Sequence, residues 1–138
     1  MSGTGRFLLT SALLIGTALL MGCNSDGVKL DEGQNRSTVT VRSGQTFTLH
    51  LKSNPTTGYR WELVECDDAV VCLVKEHFTP SSEVGERSGA RKVGAGGVQT
   101  FAFIASKLGQ TTLKLVYRRS WEKDVEPLQT FIVTVRVE

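Results

Sequence analysis

The chain has 138 residues with 16 basic and 14 acidic side chains, and its formal charge of +2 leaves no basic excess to neutralise a nucleic-acid backbone or hold a polybasic membrane patch. Apolar residues make up 40% and charged residues 22%, the balance of a globular domain and not of a disordered chain. Three cysteines and two histidines, His50 and His77, show no ligand spacing, so neither a metal nor a cofactor is expected.

The first segment reads as an address label. Arg6 precedes an apolar stretch from Phe7 to Met21, which is interrupted by Thr10, Ser11, Gly16 and Thr17 and falls short of the roughly 20 apolar residues that cross a bilayer. Leu20-Met21-Gly22-Cys23 follows, with leucine three positions before the cysteine and a small residue directly before it. That pattern resembles the site at which bacterial lipoproteins are cleaved and lipidated. The resemblance implies a signal peptide over 1–22, a lipid on Cys23 as the only link to a membrane, and, with Asn24 in place of aspartate, an exported protein on the outer membrane facing the periplasm. The other reading is a simple signal peptide with an incidental cysteine. Residues 23–36, rich in Gly, Asp, Asn and Gln, read as a tether, and 37–138 as one domain. About 100 residues suffice for a hydrophobic core of their own.

About seven segments in that domain have strand character, and none has a helical period. Thr38 to Val41 alternates. Phe47, Leu49 and Leu51 share a face of the second run, and Tyr59, Trp61 and Leu63 share a face of the third. Val70 to Phe78 and Val98 to Ala105 come next, then Thr111 to Tyr117 and Phe131 to Val137. One apolar face per strand predicts an all-β fold, an antiparallel β-sandwich of immunoglobulin-like architecture. Trp61 is assigned to the core and Tyr59 to the support of the preceding turn. Once Cys23 is set aside, Cys66 and Cys72 form an even pair, and in an exported protein they are expected to bond, contributing roughly 2 kcal/mol. Two buried free thiols are the alternative.

Three connections carry unusual chemistry. Asn54-Pro55-Thr56-Thr57-Gly58-Tyr59 sets a fixed φ at Pro55 and an extended Asn54 against a glycine free to take positive φ, so Thr56 and Thr57 should sit on a stiff tip. Thr79 to Gly97 is long and ends in Gly94-Ala95-Gly96-Gly97, and Arg118 to about Leu128 places Trp121 among charges. Taken singly, the first is a hairpin turn, the second a bulge entering a strand, and Trp121 a plug folded over the sandwich edge.

In chain order the three loops resemble those of the chagasin-type inhibitors of papain-like cysteine peptidases, which carry N-P-T-T-G-Y, G-x-G-G and R-P-W loops on an immunoglobulin-like sandwich. The match falls on Asn54 to Tyr59, on Gly94 to Gly97, and on Arg119-Ser120-Trp121, where serine replaces proline and should loosen the loop. The resemblance implies a monomeric inhibitor that blocks the active-site cleft. Asn54, Pro55, Thr56, Thr57, Gly58 and Tyr59 would enter that cleft. Gly94, Gly96 and Gly97 would bring the backbone close to the partner, and Arg119 and Trp121 would anchor the other flank. No nucleophile motif, phosphate cradle or ligand cluster supports an enzyme. The remaining alternative is a lipid-anchored envelope module, structural or adhesive, with a non-peptidase partner.

Overall fold

Alternation of apolar and polar residues sets the architecture, because each strand has one face that must leave water. The structure, a computed structural model, describes residues 27–81 and 96–138. Eight strands occur among the described residues: β1 Val28–Leu30, β2 Ser37–Val41, β3 Thr46–Ser53, β4 Tyr59–Glu65, β5 Val71–Pro80, β6 Gly97–Ala105, β7 Gly109–Arg119 and β8 Gln129–Val137. They form two four-stranded sheets, ordered β1-β3-β6-β5 and β2-β8-β7-β4. The all-β sandwich expected from the sequence is the observed fold, and β2 to β8 are its seven expected strands. Ladders are antiparallel except at one edge of each sheet, where β1 pairs with β3 and β2 with β8 in parallel.

The core lies between the sheets. Phe47 stands opposite Phe103 and Leu49 opposite Phe101 in the β3–β6 register, and the Phe47 and Phe103 rings stack at 5.2 Å between centroids. Leu113, Leu115, Phe131, Val133 and Val135 close the layer from the second sheet, all fully buried. Each such side chain contributes about 1.5–3 kcal/mol through burial. Gln99 is one of the buried polar residues. Its side-chain amide accepts from the Trp61 N–H at 2.9 Å and donates to the Trp61 carbonyl at 2.8 Å, joining β6 of one sheet to the edge strand β4 of the other.

Two expectations are corrected. The segment 23–36 is not a tether throughout: Val28–Leu30 adds a strand beside β3, and Leu30 is buried opposite Leu49. After it, Asp31 and Gln34 cap a short 3-10 turn reciprocally, Glu32 accepts from the Lys52 N–H at 2.9 Å, and Asn35 accepts from the Ile132 N–H at 3.0 Å. Polar composition concealed these pairings, because the polar residues serve as caps and bridges. The second correction concerns Cys66 and Cys72, which are free and half-buried. Cys66 follows the end of β4 and turns its thiol to the Val71 carbonyl at 3.0 Å, while Cys72 belongs to β5 in the opposite sheet. Burial, with Asp68 and Asp67 beside it, pushes the Cys66 thiol up to about 11, so it stays protonated. The signal segment and Cys23 lie outside the described residues.

The added strand is testable. Leu30→Ala is expected to cost about 2–4 kcal/mol in urea unfolding; a tether residue would cost nothing measurable.

Candidate functional site

The β3–β4 connection crosses from one sheet to the other in five residues and is braced at every step. Asn54 is extended, with φ −132° and ψ 85°, and Pro55 opens a 3-10 turn over Pro55–Thr57 that ends at Gly58 with φ +81°. The Asn54 N–H donates to the Tyr117 hydroxyl at 2.9 Å. Its side-chain oxygen accepts from the Thr56 hydroxyl at 2.5 Å, and its carbonyl accepts from the Thr57 hydroxyl at 2.7 Å. Pro55, Thr56 and Thr57 are exposed, yet both threonine hydroxyls are committed to Asn54. The tip is stiff by hydrogen bonding as well as by its proline.

The β7–β8 connection leans on this turn. Register brings Tyr59 opposite Arg119, whose Nε donates to the Thr57 carbonyl at 3.1 Å and whose guanidinium lies 4.6 Å from the Tyr59 ring centroid. Tyr59 stacks in turn on Tyr117 at 5.4 Å, and Trp61 packs on Tyr117 at 5.2 Å. Trp61 is buried and Tyr59 half-buried, so the pair divides into core and support as expected. Trp121 is 71% exposed, which excludes the plug reading; only the end of its ring rests on Gly58, where an added Cβ would lie 2.6 Å from Cη2. Val125 and Leu128 are exposed on the same connection and widen its apolar surface.

Ser120 does not loosen this loop. Its hydroxyl donates to Glu62 Oε1 at 2.8 Å, and the other carboxylate oxygen of Glu62 takes Arg118 Nε at 2.9 Å.

The glycines divide. Gly96 lies against the first loop, since a Cβ there would meet the Ser53 carbonyl at 2.9 Å and Asn54 Cβ at 3.5 Å. Gly97 is inside the sheet between Ser53 and Pro80, and a Cβ would strike the Thr79 carbonyl and the Phe78 ring. Its missing side chain is required by its own neighbours, before any partner is considered. Gly94 lies outside the described residues. Asn54 to Tyr59, Gly96, Gly97, Arg119 and Trp121 are thus brought to one end of the sandwich. Sequence reasoning missed Glu62 and Gln99, isolated polar positions in strands with no local signal, and the hydroxyl of Tyr117, whose ring reads only as part of the buried face; all three hold these loops.

This end offers contact surface and no reaction chemistry. Among the described residues no group of His, Cys, Asp or Glu could hold a metal. His50 is engaged with Thr48 at 2.9 Å and Thr100 at 3.2 Å on the outer face of its sheet.

An immunoglobulin-like sandwich whose first and third loops brace each other at one end, with Gly96 packed against the first, presents a preformed contact surface. Residues 40–135 match the family described as chagasin family peptidase inhibitor I42, and the chain belongs to that family. It is 30% identical over 112 residues to amoebiasin-2 of Entamoeba histolytica, covering 78% of this chain and 84% of that protein. It is 26% identical to chagasin of Trypanosoma cruzi, covering 78% and 96%. The crystal structure of a cysteine protease inhibitor from Entamoeba histolytica superposes with a TM-score of 0.68 at 27% identity, over 80% of this chain and 95% of that one.

Gly58 allows a clean comparison with Gly44, which shares its positive φ at +82° but faces open space. Both Gly→Ala changes should cost about 1–2 kcal/mol for the backbone alone. Gly58→Ala should cost more than Gly44→Ala by chemical denaturation, because it also displaces Trp121.

Proposed function

We propose that the protein is a reversible, competitive inhibitor of papain-like cysteine peptidases that fills the active-site cleft with the Asn54–Tyr59 tip. The observation that carries this is the bracing of that tip, in a member of a peptidase-inhibitor family, by Asn54, Tyr117, Arg119 and Trp121. A loop already ordered loses little entropy on insertion, so contact energy goes into affinity. The same bracing explains why it would block and not be cut. The Thr57 and Gly58 amides are tied to the carbonyls of Asn54 and Pro55, and cleavage would require unwinding that turn to present a peptide bond for attack.

Trp121 supplies an apolar anchor on one flank, with Val125 and Leu128 exposed on the same connection and Arg119 tying that connection to the Thr57 carbonyl. Gly96 on the other flank lets backbone approach backbone, as extended pairing along a cleft requires. The protein acts as a monomer, because the face it needs for its target is the one its loops form. It is exported and held through a lipid on Cys23, on the outer membrane facing the periplasm; the Leu20-Met21-Gly22-Cys23 pattern supports this.

Titration of residues 24–138 against a papain-type enzyme with a small fluorogenic substrate should give competitive inhibition and return the inhibitor uncut, while a serine peptidase is unaffected. Deleting Thr56 and Thr57 should weaken inhibition at least about a hundredfold, against roughly tenfold for Trp121→Ala. Equal inhibition by the deletion variant and the wild type would show that the tip does not enter the cleft. For the anchor, mass spectrometry of the membrane fraction should find a diacylglyceryl group on Cys23, and a mature N-terminus elsewhere would overturn the lipid.

A further inference from the structure

Glu62 occupies the outer face of β4, directly opposite Val116 of β7, and its two oxygens each hold one residue of the strand and loop that lead to Trp121. We infer that Glu62 is a positioning residue for the third loop, supplying through Ser120 the restraint that a proline ring supplies in the R-P-W form of that loop. The inference rests on the proposed role of Trp121 for its effect on inhibition, and on geometry alone for its effect on the free protein.

The surrounding charges explain why a carboxylate is needed here. Arg60 and Arg118 face each other across the β4–β7 ladder, a repulsive pair if left alone. Glu76 of β5 takes Arg60 at 3.1 Å and Glu62 takes Arg118 at 2.9 Å, so each arginine has one partner. Along the same face β4 presents Glu65 opposite Lys114 of β7, β8 presents Thr130, Ile132, Thr134 and Arg136, and in the loop Glu122 is committed to Arg119 at 3.3 Å. Glu62 and Arg118 are 24% and 23% exposed, so water weakens their attraction without abolishing it. Ser120 adds the part that matters for the loop. Its hydroxyl meets Oε1 at 2.8 Å one residue before Trp121, where a restraint on the backbone sets the direction of the indole.

Protonation would undo this arrangement. Partial burial alone would raise the Glu62 carboxyl, but the hydrogen bonds from Ser120 and Arg118 and the charges of Arg118 and Arg60 outweigh it and hold the group below its ordinary 4.5. A group lowered by folding contributes fully above 4.5, and its contribution is lost as pH falls through the lower folded value.

The test has two arms. In the free full-length domain, Trp121 emission, isolated by subtracting Trp121→Ala, should change as pH falls below 4.5, and the change should be absent in Glu62→Gln. Against a papain-type enzyme near neutral pH, Glu62→Ala should weaken inhibition about five- to tenfold. That loss should vanish in the Trp121→Ala background and be largely reversed by adding Ser120→Pro. If Glu62→Ala unfolds the domain, Ser120→Ala removes only the hydroxyl and carries the same comparison. An undiminished loss in the Trp121→Ala background, or an identical pH transition in Glu62→Gln, overturns the inference. Failure of the wild type itself to inhibit would instead overturn the proposed function, leaving the emission arm to decide the role of Glu62.

Discussion

The binding end depends on one buried amide. β4 is an edge strand, and the N–H and carbonyl of Trp61 point away from its only partner, β7. Left inside a dry sandwich edge, each would cost about 1–3 kcal/mol. Gln99 satisfies both from the opposite sheet, acting as a single peptide unit of a missing strand, and its amide nitrogen also donates to Glu76 at 2.6 Å. The indole of Trp61 completes the tie by donating to the Lys52 carbonyl at 2.9 Å, on the strand that leads into the tip. The two strands flanking Asn54–Gly58 are therefore fixed to each other across the sheets before the turn begins.

From that base the stiffness is handed outward through aromatic and cationic stacking. Tyr117 packs on Trp61 and Tyr59, and its hydroxyl accepts from the Asn54 N–H, so one side chain of β7 supports both ends of the first loop. Arg119 covers Tyr59 and holds the Thr57 carbonyl, and Trp121 lies on Gly58. The first and third loops are consequently one body. A change in either is felt by both.

The fold was legible in the sequence because period-two alternation is a local signal: Phe47-Leu49-Leu51 and Phe131-Val133-Val135 declare their buried face without reference to any partner. The loop at Asn54–Tyr59 was legible for a similar reason, since Pro55 and Gly58 restrict their own backbones. What escaped depends on pairing at a distance. Val28–Leu30 is too short to alternate visibly and becomes a strand only beside β3. Cys66 and Cys72, an even pair, suggested a bond, but Cys66 lies just past β4 and turns to a backbone carbonyl, while Cys72 belongs to β5 of the other sheet. Ser120 was read as the loss of a restraint because Glu62 stands 58 residues away in the sequence.

Gly97 shows that a residue within a binding motif can owe its identity to the scaffold. Its bare Cα is required by Phe78 and the Thr79 carbonyl, and that of Gly96 by the Ser53 carbonyl, which an added Cβ would meet at 2.9 Å. Both described glycines of the motif thus answer a folding constraint. Trp121 presents the complementary case. A folded monomer gains almost nothing from an indole left 71% exposed, and burying such a side chain would contribute about 1.5–3 kcal/mol. The end of its ring rests on Gly58, and its chain neighbours Arg119 and Ser120 are tied to Thr57 and Glu62, while most of its apolar surface stays in water. That burial energy is unspent in the free protein, and under the proposed inhibitory role it would go to the peptidase, so this flank is where affinity could be gained without altering the core.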